Sequence, residues 1–384
     1  MNKIISFPHL GDYYIPIKYI IKNITNCEVI TPPKNTKKTI ELGSKYSPDD
    51  ICMPFKYNLG NYIEALNEGA DILIQAGGGC RYGYYAELQE QILKDNGYQF
   101  EFINLIQNNH ISLIKLYKIT KKLNPKLNII KYLYYLIQGG LMIITMDKID
   151  KYIRENIGFE KNKGSFEIIE KKYKNSLQQE KLGIIKILKL YKKNKQILTE
   201  IPLKEESKLE ILLIGELYSL MDFEASNNLE RSLAKEGIKV IRYTNLTYLL
   251  LIKKFMRKIL LWKGRKYLKY TLGADGTESV VHAIEHCKEG IDGIIHIKSF
   301  SCVPEINAMP TLSKISEDYN TPILYLSFDG ENNISNIDTK IEAFKDMIKA
   351  KKNLNWDFYF TKVNPSFSLS FNTSSLVSPK KLGL

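Results

Sequence analysis

The sequence predicts an α/β protein: two Rossmann-like parallel-sheet domains with an inserted helical subdomain. Short apolar runs alternate with helical patterns before residue 111 and again after residue 206, as is typical of parallel sheets covered by helices. A Lys-rich stretch with helical periodicity lies between them. The 384 residues are enough for two or three domains. We therefore divide the chain into an N-terminal α/β domain (1–111), a helical subdomain (112–205), a C-terminal α/β domain (206–362) and a Ser-rich tail (363–384), which we expect to be disordered.

In the first domain, apolar runs predict strands at residues 3–7, 28–31, 51–53, 71–75 and 99–103. Helical patterns between them predict helices at residues 14–22, 37–43, 57–67 and 84–95. In the last domain, LEILLIGELYSL begins with a buried strand at Leu209, and NNLERSLAKEGIKVIRY predicts a helix that ends at Gly237, followed by a strand. Further strands are predicted at residues 293–297 and 322–326.

Composition and charge exclude some classes of partner. The net charge is +13, but much of the excess lysine lies between residues 115 and 195 and no nucleic-acid-binding motif accompanies it, so we expect no nucleic-acid partner. The apolar stretch 132–146 is shorter than the ~20 residues that span a bilayer, which favours a core helix or a buried strand and no membrane partner. The N-terminal apolar run is too short for a signal peptide. We therefore expect a cytoplasmic protein with reduced thiols.

Three of the five cysteines, Cys52, Cys80 and Cys302, directly follow an apolar run and precede a helical pattern. The carboxyl ends of parallel strands form the edge where ligands bind in α/β proteins, so three thiols there could converge on one ion or cluster. A helix N-terminus lowers the pKa of a thiol and favours the thiolate that metals bind. Pro54 and Pro304 fit the first turn of the helices that follow.

Spacing leaves open whether these thiols meet, because 27 and 221 residues separate them. They could equally be ordinary buried cysteines, which is how we interpret Cys27 and Cys287. The glycines Gly77, Gly78 and Gly79 would let the backbone approach a ligand closely. Because neither GxGxxG nor GxxxxGK[ST] is present, the chain has no recognisable means of hydrolysing ATP.

The histidines give weaker predictions. His282 and His286 lie four residues apart without an HExxH pattern, which favours a half-buried or surface pair over zinc ligands. His9 follows the first strand and has either a structural role or a place at the same sheet edge as the thiols.

Four segments, FPHLGDYYIPIKYI, EVITPPKNTKKTIELGSKYSPDDICMPFKYNLGNYIEAL, LIQAGGGCRYGYYAELQEQIL and FSCVPEINAMPTLSKISEDYNTPILYLSFD, together resemble the 2-hydroxyacyl-CoA dehydratase D-component family. The nearest branch is its single-chain, acyl-CoA dehydratase activase-related members. The resemblance covers both α/β halves, about two thirds of the chain, and is most specific around the three cysteines.

The resemblance implies a 4Fe-4S cluster held by Cys52, Cys80 and Cys302. It also implies a separate ATP-dependent activator protein as the electron donor, and an acyl-CoA as a candidate substrate. An electron at a potential below the ~ −400 mV of plant-type ferredoxins would reduce a thioester carbonyl and allow loss of a neighbouring hydroxyl. In this interpretation Glu305 and His9 are candidates for hydrogen bonding or proton transfer, because of their sequence proximity to the site.

The chain departs from this family near its C-terminus. Related chains carry an Asp-Glu pair after the last strand and an arginine before the Glu-Ala-Phe of the final helix. This chain has Asp329-Gly330 and Lys340 at those places. A lysine cannot reproduce the bidentate contacts of arginine, so any contact of that kind is in doubt.

Three functions therefore stay open. The first is an iron–sulfur dehydratase or reductase with the cluster on the three cysteines. The second is a non-enzymatic iron–sulfur electron carrier or partner module of an activator. The third is a metal-free small-molecule binding protein whose cysteines belong to the core.

Overall fold

The structure, a computed structural model, describes residues 3–78, 80–107, 110–179, 182–204, 209–329 and 334–363. Residues 106, 107, 110, 111, 334–336 and 353–363 are described by their backbone alone. Residues 1–338 form one compact unit and residues 339–384 a second, and both parallel sheets lie in the first. The predicted tail lies outside the described residues after Val363.

The first sheet has four parallel strands in the order β2-β1-β3-β4. Its strands are β1 (Ile4–Ser6), β2 (Glu28–Val29), β3 (Ile72–Gln75) and β4 (Glu101–Asn104), and the helices among them are α1 (Tyr14–Thr25), α2 (Lys37–Tyr46), α3 (Met53–Asn67) and α4 (Tyr85–Asp95). The predicted alternation of strands and helices is confirmed. The predicted strand at 51–53 is wrong, because Met53 already begins α3 with Pro54 in its first turn.

Helices α2 and α3 pack with their backbones in close approach at two glycines. A methyl group on Gly60 of α3 would lie 2.0 Å from the carbonyl oxygen of Thr39, and one on Gly43 of α2 would lie 1.7 Å from that of Lys56. The Thr39 hydroxyl also donates to the carboxylate of Glu64, at 3.1 Å. These contacts fix the position of α3.

The middle of the chain is helical, as predicted. A two-stranded hairpin that the sequence did not predict, β5 (Ile106–Gln107) and β6 (His110–Ile111), precedes α5 (Leu113–Leu123), α6 (Ile129–Asn156), α7 (Ser165–Leu177) and α8 (Ile184–Thr199). Residues 132–146 belong to the much longer α6. Within the described residues, one helical segment, Ile129–Phe159, is long and apolar enough to cross a membrane, and 39% of its apolar window is buried. Its polar side chains bond to other parts of the protein: Tyr19 donates to Gln138 at 3.1 Å, and Tyr13 donates to Asp147 at 2.6 Å.

The second sheet also has four parallel strands, in the order β10-β9-β7-β8. Its strands are β7 (Leu209–Gly215), β8 (Ile238–Ile241), β9 (Gly293–Ser299) and β10 (Ile323–Phe328), and its helices are α9 (Leu217–Met221), α10 (Leu229–Lys235), α11 (Lys253–Gly264), α12 (Gly276–Glu289) and α13 (Val303–Tyr319). The last helix, α14, spans Ile334–Val363. Gly237 follows α10 with a φ of +82°, which confirms its predicted place at the end of that helix.

Buried charges join the helical middle of the chain to the second sheet. Arg242, directly after β8, contacts Asp150 of α6 at 3.2 Å and lies against the carboxylate of Glu230 of α10. Arg154 of α6 contacts the same two acids, at 2.5 Å and 3.6 Å. Because both arginines are buried, removing one would leave two part-buried carboxylates that share a single counter-charge.

Candidate functional site

Each of the three predicted cysteines is the residue that precedes a helix. Cys52 is the N-cap of α3, and Cys302 is the N-cap of α13. Cys80 caps a single 3₁₀ turn, Arg81–Tyr84, that leads into α4. Pro54 and Pro304 lie in the first turn of their helices, as predicted.

Hydrogen bonds between the neighbours of these cysteines bring the three segments together. The backbone N–H of Met53 donates to the hydroxyl of Ser299 at 2.8 Å, which ties the start of α3 to the end of β9. The guanidinium of Arg81 donates to the carbonyl of Ser301 at 2.8 Å. The Cys52 sulfur contacts the hydroxyl of Tyr85. The residues next to Cys52, Cys80 and Cys302 therefore meet, although they are distant along the chain.

Burial controls the electrostatics of the thiols. It raises the pKa of Cys52 to about 12, although the hydrogen bond from Tyr85 lowers it. Burial also raises the pKa of Cys80 and of Cys302. Cys52 interacts electrostatically with both other thiols, and Glu216 raises the pKa of all three. The backbone N–H groups of the turns that follow Cys80 and Cys302 lower these pKa values, as expected, but burial opposes the thiolate more strongly, so the net shift is upward.

Glu216 is a site residue that the sequence analysis missed. It follows β7 directly and caps α9: its Oε1 accepts from the N–H of Tyr218 at 2.9 Å, and its Oε2 accepts from the N–H and hydroxyl of Ser219 at 3.0 Å and 2.7 Å. Burial raises the pKa of this carboxyl to about 7 despite these bonds, which lower it. The signal was available, since Glu216 ends the apolar run ILLIG as the cysteines end theirs.

Glu305 lies beside Cys302 and is 1% exposed. Its Oε2 lies 2.7 Å from Nε2 of His296 and accepts from the hydroxyl of Ser279 at 2.9 Å, while its Oε1 has no hydrogen-bond partner among the described residues. The Glu305 carboxylate raises the pKa of Cys302, whereas the Glu305 backbone N–H lowers it. His296 was also missed, although a histidine inside the apolar strand GIIHI was a visible signal.

His9 is buried in the loop after β1. Its ring Nδ1 lies 3.3 Å from Oδ2 of Asp222, and the backbone N–H of His9 donates to Oδ1 of Asn61. Burial opposes ionisation of Asp222, but the hydrogen bonds from His9 and from the N–H of Gly11 hold its pKa below the usual value. Asp222 is the residue directly after α9, and Glu216 is the residue directly before it. His9 therefore contacts the carboxyl end of this helix, whereas the carboxyl group that interacts with the thiols lies at its amino end.

One of the glycines before Cys80 makes room for an aromatic ring. A methyl group on Gly77 would lie 1.9 Å from the ring of Tyr82, so the absence of a side chain makes room for that ring. Gly78 is exposed, and Gly79 lies outside the described residues. A role of these glycines in binding a cofactor stays a prediction.

His282, His286, Cys27 and Cys287 contact protein side chains or lie in or against the core. His286 Nε2 is 2.6 Å from the hydroxyl of Tyr243, whose ring stacks on His282. Cys287 is buried as expected, whereas Cys27 is only half-buried, against the core of the first sheet.

Among the described residues, no group of three or more His, Cys, Asp or Glu side chains could hold a single metal ion. Comparison of the chain with protein-family models and with curated proteins gives no match. The function is therefore argued from the site and from the resemblance of its motifs.

Proposed function

We propose that this is a 4Fe-4S protein of the 2-hydroxyacyl-CoA dehydratase type, with Cys52, Cys80 and Cys302 as cluster ligands. The observation that carries the proposal is the pair of hydrogen bonds, from Met53 to Ser299 and from Arg81 to Ser301, that joins the three cysteine segments. Core cysteines without a shared function would need no such convergence from three distant parts of the chain.

The donor set is three thiols whose charges influence one another, since Cys52 interacts electrostatically with Cys80 and with Cys302. Cysteine thiolates are the ligands that hold iron–sulfur clusters. Two cations, Arg81 and Lys298, interact with the thiols. Arg81 lowers the pKa of Cys52 and of Cys80. Burial lowers the pKa of Lys298, and its interaction with Cys302 opposes that shift. Positive charge of this kind offsets the negative charge of thiolate ligands.

Burial gives the site a second relevant property. Because metal ligation requires thiolates, binding at these protonated thiols would release protons, and affinity would rise with pH. When bound, the cluster would supply low-potential electron transfer and, with only three protein ligands, one iron with an open coordination position.

The side chains around the thiols would organise the reaction. Tyr85 covers Cys52 and shields it from water. Glu305 would exchange a proton with a substrate bound beside Cys302, while His296 and Ser279 hold its carboxylate in place. His9, held by Asp222, is the second candidate for proton transfer.

The resemblance supplies the partners in this proposal. The electron donor would be an ATP-hydrolysing activator protein, and the substrate a small molecule, with an acyl-CoA as the first candidate. Both would be met in the cytoplasm, where thiols stay reduced.

Iron and sulfide analysis of protein purified without oxygen tests the proposal. We expect about four irons and four sulfides per wild-type chain and loss of most of both in Cys80→Ala. Cys27→Ser is the matched control, because Cys27 is a half-buried cysteine of the first sheet's core, and it should keep the full content. A wild-type protein without iron, or a Cys80→Ala variant with full iron and sulfide, would refute the cluster assignment.

Spectroscopy of the loaded protein separates an enzyme from an electron carrier. An open iron position predicts that acyl-CoA or cyanide changes the electron paramagnetic resonance spectrum. A spectrum that neither compound alters would favour the non-enzymatic carrier.

A further inference from the structure

Helix α11 presents an apolar stripe to solvent. We define the α11 face as Leu251, in the π-helical turn before α11, together with Phe255, Ile259 and Trp262. Phe255 is 78% exposed and Trp262 is 62% exposed. Spacings of three and four residues place the four side chains along one side of a helix. An exposed stripe of large apolar side chains marks an interaction surface.

The opposite side of α11 is attached firmly to the protein. Leu260 is buried, and a methyl group on Gly264 would lie 3.1 Å from the side chain of Val281 in α12. At the start of the helix, the ammonium of Lys253 contacts Asp275 at 2.5 Å and Glu278 at 3.1 Å. The α11 face is therefore a fixed surface of the molecule.

The stripe is bordered by positive charge. No Asp or Glu occurs from residue 237 to residue 274, whereas eight Lys and Arg occur from residue 253 to residue 269. Lys254, Lys258 and Arg265 are exposed, and none of them makes a salt bridge within the described part of the chain. The helical angle of 100° per residue places these three together along one border of the stripe. Arg265 also lies over the Trp262 ring, 5.0 Å from its centroid.

We propose that the α11 face binds the surface of an anionic lipid bilayer. A Trp and a Phe on the apolar side, with lysines and an arginine beside them, are the composition of helices that lie in the headgroup region. The cations along the border of the stripe complement the negative surface potential of an anionic bilayer. Such a helix lies parallel to the membrane surface, so it does not need the ~20 residues that span a bilayer. The proposal does not depend on the cluster.

Fluorescence of Trp262 in the presence of vesicles tests the proposal. The chain has two tryptophans, so Trp356→Phe leaves Trp262 as the only reporter. We expect a blue shift and co-sedimentation with vesicles of phosphatidylcholine and phosphatidylglycerol, weakened by salt, and neither with phosphatidylcholine alone. Lys254→Gln with Lys258→Gln should weaken binding about 30-fold, and Phe255→Ser with Ile259→Ser by at least about 10-fold.

Two controls carry matched changes elsewhere on the surface. Ile168→Ser replaces a 68% exposed residue of α7 beside Glu167, and Ile130→Ser replaces a 74% exposed residue at the start of α6 beside Lys131. Both should bind vesicles like the wild type. Loss of binding in Ile130→Ser, with Phe255→Ser unaffected, would overturn the assignment to α11.

Two further results would overturn the proposal. One is the absence of any Trp262 shift or sedimentation with anionic vesicles at low salt. The other is a shift that appears without lipid as the protein concentration rises and disappears in a monomeric Phe255→Ser variant, because a second copy of the chain would then cover the face.

Discussion

Gly60→Ala tests the close approach of α2 and α3, which positions the helix that Cys52 caps. In a helix interior, Gly→Ala alone stabilises by about 1 kcal/mol. At residue 60, however, the added methyl would lie 2.0 Å from the carbonyl oxygen of Thr39, a backbone atom that cannot rotate away. Ordinary contact requires over 3 Å, so α3 must shift by about 1 Å. Forced overpacking of this kind costs about 1–3 kcal/mol.

Gly140→Ala is the matched control, because Gly140 also lies inside a helix but has nothing within 4 Å of the added methyl. The helix-propensity gain is the same in both variants, so the difference between them isolates the clash. We expect Gly60→Ala to melt roughly 1–4 °C below Gly140→Ala in scanning calorimetry, because the entropy of unfolding grows with the size of the compact unit. Equal melting temperatures would show that α2 and α3 can separate freely, and the packing argument would be wrong.

Three other predictions concern charged and hydrogen-bonded side chains. Arg242→Ala should lower the free energy of unfolding by about 3 kcal/mol, measured by urea titration, because the part-buried carboxylates of Asp150 and Glu230 would then share the single counter-charge of Arg154. A change below about 1 kcal/mol would contradict this. Tyr13→Phe should cost about 1–3 kcal/mol in the same assay, because Asp147 loses a buried donor at 2.6 Å, and an unchanged urea midpoint would argue against that bond. The pKa of Glu285 is lowered from 4.5 to about 2, mainly by the hydrogen bond from His282. The stability that the ionised Glu285 contributes is therefore present above pH 4.5 and is lost as the pH falls toward 2. Glu285→Gln should reduce the fall in urea midpoint across that interval, and an unaltered pH profile would refute the assignment.

Most of the sheet architecture could be predicted because each strand is a short apolar run between helical patterns. The exceptions have local causes. The run at Ile51 has the composition of a strand, but Pro54 favours the first turn of a helix there. The hairpin β5–β6 has only two residues in each strand, too few for a periodic signal. The apolar stretch after Tyr132 gave no sign of its full length, because the polar end of α6 resembles a separate surface helix.

The site was only partly predictable. Local sequence was sufficient to place Cys52, Cys80 and Cys302 immediately before helices. Their convergence depends on tertiary hydrogen bonds such as that from Met53 to Ser299, which no local pattern encodes. Burial, which is also a tertiary property, reversed the expected direction of the thiol pKa shifts. His296 was missed because its contact with Glu305, nine residues further along the chain, depends on the packing of β9 against α13.

The distance along the chain between the cysteine segments affects how the protein is made. A ribosome that has just added Cys80 must add 221 more residues before it reaches Cys302. At ~5–20 residues per second, that takes roughly 10–45 s. Throughout that interval the nascent chain carries two of its three site thiols without the third. An inorganic centre that requires all three thiols can be inserted only after the second sheet has been translated and has docked through Ser299 and Ser301. Insertion of the cofactor would therefore show that both sheets have been made and have come together.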